Sequence, residues 1–134
     1  MIVLDENIPE SQRQLLLSAR LSLKRIGVEA GRKGMKDREI LALLHEFHRP
    51  TFFTLDADFY KRDLAHTRYC LMHLAVDEDY VAEFIRRLLR FDPFSTHAKR
   101  MGAVIRVMPT GVSFWRSLAT TEVRLRWEEE KGIR

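Results

Sequence analysis

Residues 51–59, TFFTLDADF, decide how this chain is read. Phe52 and Phe53 open an apolar run of strand type that ends at Leu55. Such a run reads as a buried strand, and it stops on Asp56 and Asp58, two acids one residue apart. One aspartate would serve a turn. Two at the end of a buried strand suggest a site.

Working outward, the chain alternates. Residues 2–4, Ile-Val-Leu, are a second strand-type run, stopped by Asp5-Glu6-Asn7. Pro9 suits the first turn of a helix. Leu15, Leu16, Ala19, Leu23 and Ile26 recur at helical spacing, and Gly27 reads as the C-terminal stop. Residues 28–30 fit a very short strand, and Gly31 to Gly34 fit a loop. Asp37 is placed to cap a second helix. The apolar face of that helix is Ile40, Leu43, Leu44 and Phe47, and Pro50 ends it. After the strand at 51–55, a short helix is expected from Phe59 to His66, then a strand from Tyr69 to Ala75. Tyr80, Val81, Phe84, Ile85, Leu88 and Leu89 mark an amphipathic helix that stops at Asp92-Pro93. This rhythm argues for an α/β fold with a mostly parallel sheet. Residues 103–108 and 112–116 flank Pro109-Thr110-Gly111 and predict a hairpin with a three-residue turn. The stretch 120–131 reads as a helix, with Leu118, Val123 and Trp127 apolar and Glu128 to Glu130 outward.

Composition narrows the class. A length of 134 residues fits one domain. The hydrophobic content of 46% with 31% charged residues is that of a folded chain, which excludes a disordered one. The lone cysteine, Cys70, excludes an intrachain disulfide and fits a reducing compartment. No segment approaches the roughly 18 apolar residues of a membrane span, and the N-terminus has no basic leader, so a cytoplasmic protein is expected. The net charge is +4, with a sequence pI near 9.5. Between Arg20 and Arg38 lie seven basic residues against two acids, a patch able to attract phosphate backbones.

In an open parallel sheet, ligands sit beyond the carboxyl ends of the strands. Asp5 follows the first strand and Asp56 and Asp58 follow the third. Asp37 and Glu39 open a helix whose leading loop is expected at the same edge. Four or five carboxylates are thus expected around one point. Such a group repels itself unless some members are protonated or a cation neutralises them, and all-oxygen ligands suit Mg²⁺ or Mn²⁺. The competing reading is local. Asp37, Asp5 with Asn7, and Asp56 would each be helix caps, with Asp58 favoured by the dipole of a first turn.

LDEN at 4–7, KDREILALLHE at 36–46 and TLDADF at 54–59 resemble the PIN-like nucleases. The likeness is to small bacterial PIN-like proteins that open with LDEN, carry TLDxDF and are related to VapC-type toxins. It covers roughly residues 1–116. It implies a three-layer α/β/α PIN-like fold with a C-terminal β-hairpin, leaving 117–134 as a helical extension. It also implies Mg²⁺- or Mn²⁺-dependent phosphodiester hydrolysis, usually of RNA. Carried over by motif, Asp5, Asp37, Asp56 and Asp58 are the metal-site and catalytic carboxylates, supported by Asn7, Glu39 and Thr54. Arg32, Lys33, Lys36 and Arg38, on the loop leading to Asp37, are placed to hold phosphates, with Lys61 and Arg62 as the other path. RNA, an antitoxin protein and a second copy of the chain are the expected partners. One departure is GVEAGRKGMKD at 27–37, which is short for a second strand and its loop.

Three other readings compete. DAD after an apolar strand also resembles phosphohydrolases that form an aspartyl phosphate, with Asp56 as nucleophile and Asp58 as acid/base. A catalytically inactive PIN-like binding module is the non-enzyme alternative. His45 and His48 have zinc-like spacing but no third ligand. Among Phe114, Trp115 and Trp127, adjacent strand positions face opposite ways, so one is expected at an interface.

Overall fold

The computed structural model describes residues 1–127. Seven strands run as β1 (Ile2–Leu4), β2 (Leu23–Arg25), β3 (Thr51–Thr54), β4 (Cys70–Leu74), β5 (Ala103–Met108), β6 (Gly111–Arg116) and β7 (Val123–Arg126). They form one sheet in the order β2-β1-β3-β4-β5-β6-β7. The pairings from β2 through β5 are parallel, and β5-β6-β7 is an antiparallel meander. The opening stretch therefore lies inside the sheet. β3 is buried along its whole length, flanked by β1 and β4.

Side chains leave a strand alternately to its two faces. One face carries Ile2, Leu4, Phe53, Cys70, Met72, Ile105, Val107, Val112 and Phe114, packed with Leu16 of α1 (Glu10–Ser18). Val81, Phe84, Ile85 and Leu88 of a later helix close the same layer. The other face carries Val3, Phe52, Leu71 and Val104, packed with Ile40 and Leu44 of α2 (Asp37–Leu44) and with Phe59. The later helix is α3 (Val81–Arg90), and a single turn, α4 (His97–Arg100), precedes the hairpin. Helices on both faces of a mostly parallel sheet make an α/β chain compatible with a three-layer α/β/α arrangement.

Several boundaries differ from the sequence reading. α1 stops at Ser18 rather than near Gly27. Arg20 turns the chain out of the helix at φ 63°, and Leu21 N–H bonds back to the Leu16 carbonyl. Leu23 to Arg25 then pair with β1. The second strand is thus at 23–25 and not at 28–30, where only Ala30 makes a bridge, to Ile26. This also resolves the shortness of the 27–37 segment, because the strand precedes it. Lys36, not Asp37, is the residue before α2, and Asp37 is its first residue. The expected helix from 59 to 66 is two 3-10 turns, Ala57–Phe59 and Arg62–Leu64. The hairpin turn has two residues, Pro109 and Thr110, since Gly111 already pairs with Met108.

The largest correction concerns the tail. Residues 123–126 are strand, not helix, so the expected helical extension is instead part of the sheet up to Arg126. Glu128 to Glu130 lie outside the described residues. The Trp127 ring sits against Phe91 (4.9 Å) and Phe84 (6.4 Å), and its indole N–H donates to the Met108 carbonyl. Gly111 makes the join possible. A Cβ there would lie 2.0 Å from the Leu125 carbonyl oxygen, so no other residue allows β7 this close.

Candidate functional site

The carboxyl edge of β1 and β3 collects the acids, for a backbone reason. β1 and β3 are adjacent and parallel, with Leu4 beside Phe53, so both chains leave the sheet together. The Asp5 N–H still reaches the Phe53 carbonyl, at 2.9 Å. Asp5 is buried, and Asp56 stands two residues beyond Phe53's neighbour Thr54 on the same edge. The loop before α2 brings Asp37 to them.

Asp37, Asp56 and Asp58 each offer a carboxylate oxygen, and the three oxygens lie within 4.8 Å of one another. Among the described residues this is the one such group of histidine, cysteine or acidic side chains, and it could hold a metal ion. Asp37 is exposed, and its carboxyl is held above the ordinary range, first by partial burial and then by the charges of Asp56 and Asp58. Lys61 opposes that rise. Asp56 is half-buried, and its Oδ1 accepts the Asp58 N–H at 2.9 Å. That bond caps the first 3-10 turn and fixes the Asp56 side chain over it. The cap reading and the ligand reading thus coexist at Asp56, since one oxygen serves the turn.

Asp5 is not one of the three. Its Oδ1 accepts the Glu6 N–H at 2.8 Å and its Oδ2 accepts the Thr54 hydroxyl at 2.6 Å. Burial pushes its carboxyl up, the Thr54 hydroxyl and the Glu6 N–H pull it down, and the charges of Glu6 and Asp56 add to the rise. Thr54 is the hub beneath the cluster. It is fully buried, donates to Asp5 and accepts both the Asp56 N–H (3.0 Å) and the Asn7 side-chain amide (3.3 Å). Asn7 in turn accepts the Leu55 N–H at 3.3 Å. Glu39 faces elsewhere. It takes the Lys36 N–H as a helix cap and pairs with Arg32, and these two contacts hold its carboxyl low. It has no place among the clustered oxygens. The four or five carboxylates expected at one point are three, with Asp5 behind them.

The basic candidates Arg32, Lys33, Lys36 and Arg38 are all exposed, on the loop before α2 and its first turn. Arg32 is tied to Glu39, and the loop is held by Glu6, which accepts the Gly34 N–H at 2.9 Å. Other members of the basic run are structural. Arg25 binds Glu10 and the carbonyls of Glu6 and Ile8.

Lys61, named as part of the other path, is close enough to lower Asp37. Two residues near the site, His73 and Arg106, escaped the sequence reading. His73 is buried on β4 directly across from Thr54, and its Nδ1 accepts from Arg106 Nε at 3.1 Å. Burial first, and then Arg106, hold the imidazole low, against Asp56 and the Leu55 carbonyl. Arg106 itself lies over the Tyr60 ring, 4.2 Å from its centroid. Only strand register brings these together, and register is not written in any local motif.

Comparison of the chain with protein-family models, with curated proteins and with solved structures finds no match. The remaining candidates resolve locally. His45 packs edge-on to His66 and Tyr69, away from any metal-type group among the described residues. Cys70 is fully buried, and burial pushes its thiol up to about 12, so it supplies no thiolate. No helix among the described residues is long and apolar enough to cross a membrane.

Proposed function

We propose that this chain is a metal-dependent ribonuclease of the PIN-like kind. The observation that carries the reading is the convergence of the Asp37, Asp56 and Asp58 carboxylates within 4.8 Å at the carboxyl edge of a parallel sheet. The resemblance of LDEN, KDREILALLHE and TLDADF to PIN-like nucleases supports it. Asp37, Asp56 and Asp58 would hold Mg²⁺ or Mn²⁺. The ion, when bound, supplies an activated water and offsets charge on a phosphate.

The chain's own residues do the rest. Thr54 fixes Asp5 and the Asp56 backbone together, so the cluster sits on the sheet and not on a loose loop. Asp5, behind the three, adds negative charge that favours a cation in front of it. Lys33, Lys36 and Arg38 stand where flanking phosphates would lie. On this reading RNA is the substrate. An antitoxin protein and a second copy of the chain are its partners, in the cytoplasm.

The test is cleavage of a labelled RNA by purified protein. Activity should need Mn²⁺ or Mg²⁺, vanish in EDTA and be lost in Asp56→Asn, Asp37→Asn and Asp5→Asn. Cleavage that survives EDTA or Asp56→Asn would sink the metal-dependent reading, and no cleavage under any condition would leave a binding module.

A further inference from the structure

The face of the sheet that carries Thr54 continues past the acidic cluster. Register aligns one residue from each of five strands. Thr54 lies beside His73, His73 beside Arg106, Arg106 opposite Ser113, and Ser113 opposite Arg124. All five are polar, and paired residues project to the same face. The next row in from this one is Phe52, Leu71, Val104 and Trp115. Its first three members are the buried core beneath α2, whereas Trp115 is half-exposed.

That contrast marks where the covering layer ends. The core on this face stops at Val104, and no residue of β6 or β7 belongs to it. What lies over β5 to β7 is Tyr60, whose hydroxyl donates to Glu122 and accepts from the Ser113 hydroxyl at 2.8 Å. Glu122 is the acid beside β7 and is engaged by that hydroxyl, with Arg124 at 3.6 Å. Basic side chains, all among the described residues, lie here as well. Arg62 stands 5.8 Å from the Trp115 ring centroid, Arg106 lies on the Tyr60 ring, and Arg124 and Arg126 are exposed on the same face. Lys61 joins this strip to Asp37.

We propose that this face of β5 to β7, which lies beyond the α2-covered core and carries Tyr60 over Ser113 and Arg106, is the path along which single-stranded RNA runs into the acidic cluster. Trp115 is the platform on which a base stacks, and Arg62, Arg106 and Arg124 lie against the backbone. The proposal deepens the nuclease reading and rests on it. Three strand spacings separate β3 from β6, roughly 14 Å, so the platform lies a short stretch of chain away from the carboxylates. An aromatic face flanked by arginines takes unpaired bases of any sequence, because every base has a π-face and every link a phosphate. A duplex hides the faces that Trp115 would meet.

The experiment uses the Asp56→Asn chain in EDTA, so that RNA is bound without being cut. A labelled single-stranded 12-mer is titrated by anisotropy at two salt concentrations, while tryptophan emission is followed. The chain has two tryptophans, and Trp127 is buried with its N–H bonded, so Trp115 is the reporter. Binding should quench emission, and the quench should vanish in Trp115→Phe. Trp115→Ala should weaken binding by about tenfold, the usual scale for one stacked base. Arg124→Glu, an exposed site that keeps the fold, should weaken binding and lower the salt slope by roughly 0.7. Parent-like affinity in both Trp115→Ala and Arg124→Glu would overturn the proposal and leave the face to a protein partner. So would tighter binding of an equal-length duplex. Hydrolysis of a small phosphodiester by the wild-type chain with Mn²⁺ reads the metal site alone. Its failure would fall on the nuclease reading, while loss of RNA binding in Trp115→Ala would still establish the path.

Discussion

Asp56→Asn should stabilise the metal-free protein and abolish most of its response to metal. The three carboxylate oxygens lie within 4.8 Å of one another. At that limit, and at the dielectric of water because two of the three groups are exposed, each pair repels by ~1 kcal/mol. Asp56 belongs to two pairs, so its neutralisation removes up to ~2 kcal/mol of repulsion. The turn survives, since an asparagine oxygen still accepts the Asp58 N–H. For a domain of this size ~1 kcal/mol moves the melting temperature by about 4 °C, so the variant should melt some 4–8 °C higher in EDTA. Metal reverses the order. At a hundredfold excess over Kd, an ion bound only to the native state adds about 2.7 kcal/mol, near 10 °C on the same scale. Wild type should show that rise with Mn²⁺, and Asp56→Asn little of it. Glu83→Gln, an exposed carboxylate on α3, should behave as wild type in both conditions. The assay is a thermal melt with and without Mn²⁺. If wild type and Asp56→Asn respond alike to the ion, the acids are turn caps and not ligands.

The other predictions concern neighbouring residues. Because burial first, and then Asp56 and Asp58, raise the Asp37 carboxyl, the native chain binds its proton at higher pH than the unfolded chain does. Stability therefore falls as pH rises through the window between the ordinary and the raised values, and urea melts in EDTA should show a shallower fall in Asp37→Asn. Thr54→Val leaves the buried Asp5 carboxylate without its hydroxyl donor, so chemical denaturation should show a loss of about 1–3 kcal/mol. Trp127→Ala removes the ring that pins β7 to α3 and should cost about 3–5 kcal/mol, with hydrogen exchange at 123–126 rising most. Charge reversal of Lys33 and Lys36 should weaken RNA binding and flatten its salt dependence with little change in melting temperature, and unchanged binding would leave the β5–β7 face as the main path.

The parallel sheet was legible because its strands are short apolar runs with sharp polar ends, and TFFT is the plainest of them. Leu23 and Ile26 show the limit of spacing as a signal. Leu21 and Leu23 alternate as a strand does, yet Leu23 also continues the helical series from Leu16 and Ala19, and the helical reading of 15–26 followed that series. Arg20 decides against it through a left-handed turn that no sequence rule assigns to arginine. The tail was misread for a related reason. Val123, Leu125 and Trp127 alternate, but the signal is three residues long, and what commits it to a strand is Gly111, twelve residues earlier. At the site, Asp37, Asp56 and Asp58 were found because topology alone sends them to one edge. Glu39 was misjudged because its partners, Arg32 and the Lys36 N–H, are a local choice between two uses of one carboxylate. His73 and Arg106 were invisible for want of register.

The two margins of the sheet have a bearing on how copies of this chain meet. β2 and β7, the outermost strands among the described residues, have three and four residues and carry Lys24 and Arg25, and Arg124 and Arg126. Short strands studded with like charges resist zipping onto a second sheet, since each added strand would set arginine against arginine. Self-association by strand addition is thereby disfavoured at both ends. A mutation that neutralised Arg124 and Arg126 together would be the one to open the route to fibrous aggregation through the β7 margin.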